Sequence, residues 1–479
     1  MNYKMILYVL RYILCCEGIL MLLPFATAFV YDERAGMSFL ICIGICMLLG
    51  FPFYLKRPKR AELHIREGFV TVALSWIVMS IIGALPFVIS GSIPNPIDAI
   101  FETVSGFTTT GASILSDLDS MPRCMLIWRS FTHWIGGMGV LVFILTIIPM
   151  TGGNHMNLMK AESPGPSVDK LVPKVQSTAK ILYSIYVVMT IIQITIHLFA
   201  GMPVFDAVTI SFGTAGTGGF SVRNSGMADY SMFNQVVITV FMILFGVNFN
   251  VYFLLLNKKF KKAIKSEEVI YYFLIILAAI AIITLNTVVQ YDSVRDAIHH
   301  AAFSVASIIT TTGFSTVDFN LWPSLSKTIL VILMFIGACA GSTGGGIKVS
   351  RFVILAKTVR TELHSYIHPN SVKKTTFNGK QVSHDIVRSI NVFMIAYAMI
   401  FAASLLLINL DGKDLVTNFT AVAATINNIG PGLELVGPTG NFAFFSPLSK
   451  IVLIFDMLAG RLELFPMILL FYRHSWKKF

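Results

Sequence analysis

The chain has 479 residues, of which 55% are hydrophobic and only 13% are charged. A chain of this composition cannot hide its apolar surface from water, so it is predicted to be a polytopic membrane protein. The formal net charge of +11 is concentrated in loops between apolar runs. This distribution argues against nucleic acid as a partner.

Ten apolar runs approach the roughly 20 residues that are needed to cross a bilayer. They cover residues 5–28, 37–55, 69–90, 126–149, 180–200, 234–256, 269–290, 326–356, 388–409 and 449–472. The first run ends in Ala26, Thr27 and Ala28, a pattern typical of signal-peptide cleavage. Because this run is longer than a signal-peptide core and a second run follows closely, we expect a retained helix.

Charge alternates between the loops that join these runs. Basic clusters follow the even-numbered runs: Lys56, Arg57, Lys59, Arg60 and Arg66; Lys258, Lys259, Lys261, Lys262 and Lys265; Lys357, Arg360, Lys373 and Lys374; Arg473, Lys477 and Lys478. Acidic residues occupy the alternate loops: Asp32 and Glu33, Asp117 and Asp119, Asp229, Asp292 and Asp318, Asp411 and Asp414. The positive-inside rule then places both termini in the cytoplasm.

One phrase occurs four times. The copies are VSGFTTTGAS at 104–113, TAGTGGFS at 214–221, FSVASIITTTGFS at 303–315 and INNIGPG at 426–432. Each copy continues from, and partly overlaps, a segment of some ten residues that is too short to span: DAIFETVSGF, DAVTISFGTA, HAAFSVASII and TNFTAVAATI. The repeating unit is therefore a span, a short pore helix, an extended Thr/Gly-rich return and a second span, preceded by two extra N-terminal helices.

Extended backbone at membrane depth is tolerated only where protein buries it or where it lines a watery path. Four returns around one axis predict such a path, with backbone carbonyls replacing the hydration shell of an ion. The alternative is that the glycines only permit close helix packing. Four copies at equivalent positions in the repeat favour an ion path over helix packing alone.

Several longer phrases resemble the TrkH branch of the Trk/Ktr/HKT potassium-uptake superfamily. They are REGFVTVALSW with GALPF (66–87), FETVSGFTTTGAS (101–113), HWIGGMGV (133–140), TAGTGGFS (214–221), TTTGFS (310–315), GSTGGGIKVSR (341–351), NNIGPGLE (427–434) and MLAGRLELFP (457–466). The resemblance covers nearly the whole chain, and the two leading helices are similar to TrkH rather than to Ktr.

The fold that this resemblance implies is all-α, with ten transmembrane helices and four re-entrant pore helices around a pseudo-fourfold pore. The expected units are two N-terminal helices (1–67) and pore repeats at 68–152, 153–266, 267–362 and 363–479. The resemblance also implies a homodimer, a cytosolic TrkA-type nucleotide-binding regulatory subunit, potassium as the substrate, and no cofactor.

Carried over by position, the residues expected to coordinate potassium in the filter are Thr109, Thr110, Gly111, Thr217, Gly218, Gly219, Thr311, Thr312, Gly313, Asn428, Ile429 and Gly430. The fourth copy departs from the others, because Asn428 and Ile429 replace threonines and Pro431 restricts the preceding glycine. Fourfold symmetry is therefore in doubt at this copy.

The eighth run is interrupted by GACAGSTGGGIK at 337–348. Its five glycines disfavour a helix by about 1 kcal/mol each relative to alanine, which predicts a flexible gate that includes Gly341, Gly344, Gly345 and Gly346. A phosphate loop is disfavoured, because Ile347 separates Gly346 from Lys348 and the context is a membrane helix.

Arg461 lies in the tenth apolar run, where a charge usually faces a cavity or a partner. We expect it to project into the pore beside the gate. The alternative is a structural arginine paired with Glu463 or with helix carbonyls, and Asp456 is a further possible partner.

The remaining polar residues suggest no enzyme. The six cysteines lack C-x-x-C spacing, and His299 and His300 have no metal ligands at a suitable spacing. A potassium symporter coupled to proton or sodium stays open as an alternative function. The four copies repeat in one orientation, which favours a channel-like route over alternating access.

Overall fold

The computed structural model describes residues 2–54, 65–139, 175–370 and 374–476, and these residues are mostly helical. The first half contains α1 (Tyr3–Leu20), α2 (Leu22–Val30), α3 (Gly36–Tyr54), α4 (Ile65–Ser90), α5 (Pro96–Phe107), α6 (Arg123–Gly137), α7 (Val175–Phe199), α8 (Val204–Gly216), α9 (Met232–Phe245) and α10 (Phe249–Leu256).

The second half contains α11 (Phe260–Ile264), α12 (Glu267–Thr287), α13 (Val294–Ile309), α14 (Ser324–Ile336), α15 (Val349–Ile367), α16 (His384–Ile408), α17 (Leu415–Ile426), α18 (Pro447–Arg461) and α19 (Phe465–Phe471). A small antiparallel hairpin pairs β1 (Thr376–Phe377) with β2 (Lys380–Gln381). Short 3₁₀ turns occupy Val288–Gln290, Phe319–Leu321, Asn409–Asp411, Glu434–Val436 and Arg473–Trp476.

Five unbroken helical segments in the described part of the chain are long and apolar enough to cross a membrane. They are Tyr3–Val30, Arg66–Ser90, Lys180–Phe199, Glu267–Gln290 and His384–Asp411. These segments correspond to the five odd-numbered apolar runs. The chain is thus a multi-pass membrane protein, while the full count of ten spans stays a prediction.

The sixth, eighth and tenth runs are broken. The sixth bends by 89° between α9 and α10, where Asn248 caps the new helix by accepting the Asn250 amide N–H at 2.9 Å. The eighth is interrupted between α14 and α15, at the glycine-rich segment that the sequence indicated. The tenth ends at Arg461 and resumes at Phe465, a break that the sequence did not predict.

Some predicted features lie outside the described residues. They are residues 140–149 of the fourth run, the repeat boundary at 152–153, and the basic residues Lys56, Arg57, Lys59, Arg60, Lys373, Lys477 and Lys478. The other repeat boundaries stay predictions.

Four short buried helices, α5, α8, α13 and α17, have 12, 13, 16 and 12 residues. At about 1.5 Å per residue, none is long enough to cross a hydrocarbon core of roughly 30 Å. Each packs between the long helix before it and the helix after it. This three-helix arrangement occurs four times, so the repeated phrase in the sequence corresponds to a repeated structural unit.

The first three helices pack against the first of these units. α1 contacts α3 and α4, and α2 contacts α6. The largest apolar cluster begins here, and Phe39 of α3 meets Trp128 of α6 edge-on, with ring centroids 6.1 Å apart. The two N-terminal spans therefore support the first pore repeat from outside.

Candidate ion pathway

All four short helices end in the same hydrogen-bonded turn. The closing bonds join Thr110 N to Ser105 O (2.9 Å), Gly218 N to Gly213 O (2.9 Å), Thr312 N to Ser307 O (2.8 Å) and Ile429 N to Ala424 O (2.8 Å). The residue before each donor has a left-handed backbone: Thr109 (φ +56°), Thr217 (+54°), Thr311 (+58°) and Asn428 (+56°). This is the Schellman geometry that ends many helices, here without glycine at the left-handed position.

A second positive φ follows two residues later in every copy. It occurs at Gly111 (φ +78°), Gly219 (+74°), Gly313 (+86°) and Gly430 (+100°). The residue between the two positive values has an ordinary negative φ in each strand. We call these four stretches, 109–111, 217–219, 311–313 and 428–430, the filter strands.

The four filter strands form a closed ring in chain order. A Cβ atom built on Gly111 would overlap the carbonyl oxygen of Gly218, one on Gly219 would overlap that of Thr312, and one on Gly313 would overlap that of Ile429. A Cβ on Gly430 would lie 2.8 Å from the carbonyl oxygen of Thr110, which closes the ring. The glycines are therefore required both by their φ values and by close backbone approach.

The structure brings all twelve sequence-predicted filter residues together. It also keeps the left-handed positions of the fourth strand, at Asn428 and Gly430, despite the substitutions there. The doubt that Pro431 raised about fourfold symmetry is thus not supported for the backbone. What differs is the side chain, since Asn428 Nδ2 donates to Thr110 Oγ1 (3.0 Å) and to Met457 O (2.9 Å).

Hydroxyl groups stiffen the first and third strands. Thr108 and Thr110 share a hydrogen bond of 2.8 Å between their Oγ1 atoms, and Thr310 and Thr312 repeat it at the same distance. These side chains are therefore engaged with one another behind the strands, which leaves the main-chain carbonyls to contact a ligand.

An open cavity lies on one side of the ring. All four filter glycines line it, together with the loops that follow the filter strands. Because the C-terminal end of each short helix meets the ring, four negative dipole ends are directed at it and favour a cation there.

Acidic residues lie beside this cavity. Asn224 Nδ2 donates to Asp117 Oδ1 (3.0 Å) and to Asp119 Oδ2 (2.8 Å), which joins the loops after strands one and two. The hydrogen bonds from Asn224 and Ser120 lower the pKa of Asp117. Asp117 therefore stays ionised at neutral pH and adds negative potential at the mouth of the cavity.

The position thirteen residues before each filter glycine anchors its short helix to a neighbouring segment. In the first two repeats it forms ion pairs, Asp98 with Lys450 and Asp206 with Arg223, both at 2.6 Å. In the third, His300 Nδ1 lies 3.0 Å from Thr316 Oγ1, and in the fourth Thr417 Oγ1 accepts from Leu435 N at 3.4 Å. His300 thus has a structural hydrogen bond, and among the described residues no cluster of three metal-ligating side chains occurs.

The glycine-rich segment between α14 and α15, residues 337–348, crosses directly beneath the ring. The Gly345 amide donates to Thr311 Oγ1 (2.6 Å), and the Gly346 amide donates to the Asn427 carbonyl (3.0 Å). Left-handed backbone at Gly337, Gly341 and Gly346 allows the chain to fold there. We call residues 337–348 the gate segment.

Arg461 joins the gate segment to the filter. Its Nη1 donates to Thr343 O (2.9 Å) and to Thr109 Oγ1 (3.1 Å), and its Nη2 donates to the carbonyls of Gly136 and Gly137 at the end of α6. The carboxylate of Glu463 pairs with Arg351, and Asp456 accepts a hydrogen bond from Ser404. The guanidinium therefore lies among filter, gate segment and helix carbonyls.

Sequence reasoning missed several buried charges around this pathway. Lys348 Nζ donates to Gly344 O and Gly345 O within the gate segment. Glu268 Oε1 accepts from Ala340 N (2.7 Å) and Ser350 N (3.2 Å), so one carboxylate holds both ends of the segment. Arg129 and Glu102 form a buried pair behind the filter. Arg129 could have been found by the criterion applied to Arg461, because it too lies inside an apolar run.

Comparison with known proteins identifies the family that has this architecture. A family model described as TrkH, cation transport protein, matches residues 35–478. The chain belongs to the TrkH family. The Trk system potassium uptake protein TrkH of Salmonella typhimurium is 38% identical over 471 residues, and that of Escherichia coli K12 is 37% identical over 472 residues, with 96% of each chain covered in both cases. The sequence resemblance is thereby confirmed.

A solved structure carries the same fold. The chain is similar to the crystal structure of the potassium transporter TrkH from Vibrio parahaemolyticus, with a TM-score of 0.89, 33% identity and 100% of both chains covered. Membership of a family of cation transport proteins makes this chain a membrane transporter rather than an enzyme.

Proposed function

We propose that the chain takes up potassium across the bacterial inner membrane through the ring of four filter strands. The observation that carries the proposal is the closed ring, in which the carbonyls of Thr110, Gly218, Thr312 and Ile429 occupy one equivalent position in four strands. Rings of backbone carbonyls can replace the hydration shell of potassium. The names of the TrkH relatives, which are potassium uptake proteins, support the same substrate.

Ion coordination in this proposal uses backbone oxygen atoms. The carbonyl of the middle residue of each strand lies against the glycine of the preceding strand in the ring, so four strands contribute one backbone oxygen each at an equivalent position. The four helix dipoles add negative potential at the ring. Potassium is the transported substrate, and the mechanism uses no cofactor.

The gate segment and Arg461 control passage in this proposal. The segment lies beneath the ring and bonds to it through Thr311 and Asn427, while Arg461 places a positive charge in the same region. A cation leaving the filter meets both the backbone of the segment and the guanidinium. Movement of the segment, by breaking a small number of hydrogen bonds, therefore opens the path.

Flux into proteoliposomes separates a channel from a coupled symporter. The purified protein is reconstituted with potassium on both sides, sodium absent and pH equal across the membrane, and a defined membrane potential is imposed. A gated channel carries potassium under potential alone. Flux that requires a sodium or proton gradient would instead support the symporter.

We also infer that the basic loop around α11 docks a cytosolic partner of the TrkA type. Lys258 and Lys259 directly precede this short helix, Lys261 and Lys262 lie on it, and all four are exposed. The alternative is that these lysines only set the topology of the chain or contact anionic lipid. A variant with all four lysines replaced by glutamine should lose co-purification with the partner, while unchanged and equally salt-sensitive co-purification would assign the lysines to topology.

Homodimeric assembly is part of the proposal through the family resemblance. Light scattering coupled to size exclusion in detergent tests it directly. A mass of one chain at all concentrations would contradict it.

A further inference from the structure

The pair formed by Glu102 and Arg129 is the most buried ion pair in the described part of the chain. Arg129 Nη2 lies 2.7 Å from Glu102 Oε1, and the two side chains are 2% and 0% exposed. A charge pair at membrane depth is costly to desolvate, so its surroundings must supply further hydrogen bonds. Those surroundings are the backs of two filter strands.

Glu102 binds the chain that leaves the first filter strand. Its carboxylate accepts hydrogen bonds from Ser113 Oγ (3.0 Å) and from Ile114 N (3.0 Å). These residues come two and three positions after Gly111. The carboxylate thereby fixes the outer end of strand one to the helix α5 that precedes it.

Arg129 extends the link to the second filter strand. Its Nη1 donates to Ser221 O at 3.2 Å, and its guanidinium carbon lies 4.1 Å from the ring centroid of Phe220. Phe220 and Ser221 directly follow Gly219. One guanidinium therefore contacts the chain beyond both strands, and its planar, multiply donating shape suits this bridging position better than an ammonium does.

His133 forms a second link one helical turn along α6. Its Nδ1 lies 2.7 Å from Gly106 O, and its Nε2 lies 3.2 Å from Phe220 N. A carbonyl can only accept and an amide N–H can only donate, so the ring is a neutral imidazole with its proton on Nδ1. Arg129 and His133, at i and i+4 on one face, thus both connect the first repeat to the second strand.

The fourth repeat has apolar residues at these places. Gly136 of α6 and Gly460 of α18 correspond, because a Cβ on either would overlap the carbonyl of the last residue of its own short helix, Phe107 or Ile426. Counting back from Gly460, Leu453 and Met457 replace Arg129 and His133, and both are buried. Nine residues before the other filter glycines, the place of Glu102 is taken by Ile210, Ser304 and Ala421.

We propose that Glu102, Arg129 and His133 form a polar brace that fixes the spacing of filter strands one and two and thereby helps to set ion selectivity. They are positioning residues, since they contact the strands and not the ion. The proposal rests on the proposed function of the ring. It assigns to the first repeat a share in selectivity that the symmetric backbone alone does not indicate.

The test compares potassium and sodium flux in proteoliposomes for the wild type, Glu102→Gln, Arg129→Gln and the double variant. Residues that act on a site indirectly change coupling by about twofold to thirtyfold, and each single variant is expected to lower the potassium to sodium ratio by a factor in this range. The matched control is the Asp98→Asn/Lys450→Gln pair, which removes an ion pair on the same helix α5 away from the filter. It should leave the ratio unchanged.

Removal of one partner leaves a buried charge and can block folding, so Arg129→Lys is included because it keeps the charge but loses the bridging geometry. A lowered ratio in any folded brace variant supports the proposal. Folded Arg129→Lys or double variant with the wild-type ratio would overturn it. A wild type that carries no potassium under potential would instead overturn the proposed function, a result visible before any variant is made.

Discussion

The first and fourth pore repeats reach the same backbone with different side chains. Both place left-handed residues at the two ends of the filter strand, Thr109 and Gly111 in one and Asn428 and Gly430 in the other. Behind the first strand lie an ion pair and a histidine, whereas behind the fourth lie Leu453 and Met457. The backbone of the ring is therefore set by its left-handed positions and by close strand contact, and its support varies from one repeat to another.

This difference has a consequence for how the ring responds to substitution. A change in the shared backbone should disrupt all ion positions, because each glycine contacts the next strand. A change in the side chains that pack behind one strand should alter only the contact between that strand and its neighbour. Substitutions in the two repeats can therefore be ordered by expected effect.

The largest effect is expected for the filter glycines. Gly111→Ser or Gly313→Ser would force a side chain into the neighbouring carbonyl and into a left-handed φ, so potassium flux should be abolished or its selectivity over sodium lost. Gly430→Ser should be milder, because the nearest carbonyl oxygen lies 2.8 Å from the added Cβ. Potassium and sodium flux in liposomes measures this order, on protein that size exclusion shows to be folded. Wild-type flux and selectivity in Gly111→Ser would show that Gly111 is not part of the filter.

The next effect concerns the gate. Arg461→Ala, or deletion of Gly344 to Gly346, should raise basal potassium flux by about tenfold or more and reduce its dependence on the regulatory partner, since charge-assisted contacts to Thr343 O or the segment itself are lost. The Asp98→Asn/Lys450→Gln pair is the control, because it removes a positive charge from the same helix α18 at its far end without leaving the carboxylate unpaired. Folded variants with basal flux at or below that of the wild type would contradict the gate.

A smaller effect is expected where the fourth strand differs in side chain. Asn428→Thr makes its sequence more like the others, yet it should lower the free energy of unfolding by about 1 to 2 kcal/mol, because hydrogen bonds to Thr110 and Met457 are lost and threonine tolerates a left-handed φ less well than asparagine. The reciprocal Thr311→Asn meets that left-handed φ without this penalty. Thermal unfolding in detergent compares the stability of the two variants with that of the wild type. An Asn428→Thr variant more stable than the wild type would show that the hydrogen bonds of Asn428 do not stabilise the fourth strand.

The smallest effect separates two threonines at equivalent positions. Thr311 Oγ1 accepts from Gly345 of the gate segment, whereas Thr217 Oγ1 donates to its own neighbour Gly216. Thr311→Val should raise basal flux by about fivefold, the effect of losing one hydrogen bond of roughly 1 kcal/mol. Thr217→Val should not produce that rise, and equal rises in both would show that the contact to Gly345 does not hold the segment closed.

Much of this architecture could be predicted from the sequence because it repeats. Four copies of a Thr/Gly phrase in phase located the filter strands, and five glycines in one apolar run located the gate segment. The breaks after Phe245 and Arg461 were not predicted, although Gly246, Asn248 and Pro466 are local signals for the end or the start of a helix. The left-handed backbone at Asn428 was also not predicted. The presence of Pro431 gives no indication of the helix-ending turn, closed by Ile429 N and Ala424 O, in which Asn428 lies.

The brace was missed for a different reason. Glu102, Arg129 and His133 are brought together only by the packing of α5, α6 and the second filter strand. The i, i+4 spacing of Arg129 and His133 indicates that they share a helix face, but no spacing along the chain indicates that Glu102 lies beside them. A charged residue within an apolar run was the available signal, and it was applied to Arg461 alone.

The most direct test of the central claim is to locate the ion. Crystals of the protein grown with rubidium or thallium in place of potassium give anomalous density that marks bound cations. The account predicts a peak on the axis of the ring, between the carbonyls of Thr110, Gly218, Thr312 and Ile429, which Gly111→Ser abolishes. Ordered cations elsewhere in the membrane region with no density inside the ring would contradict it.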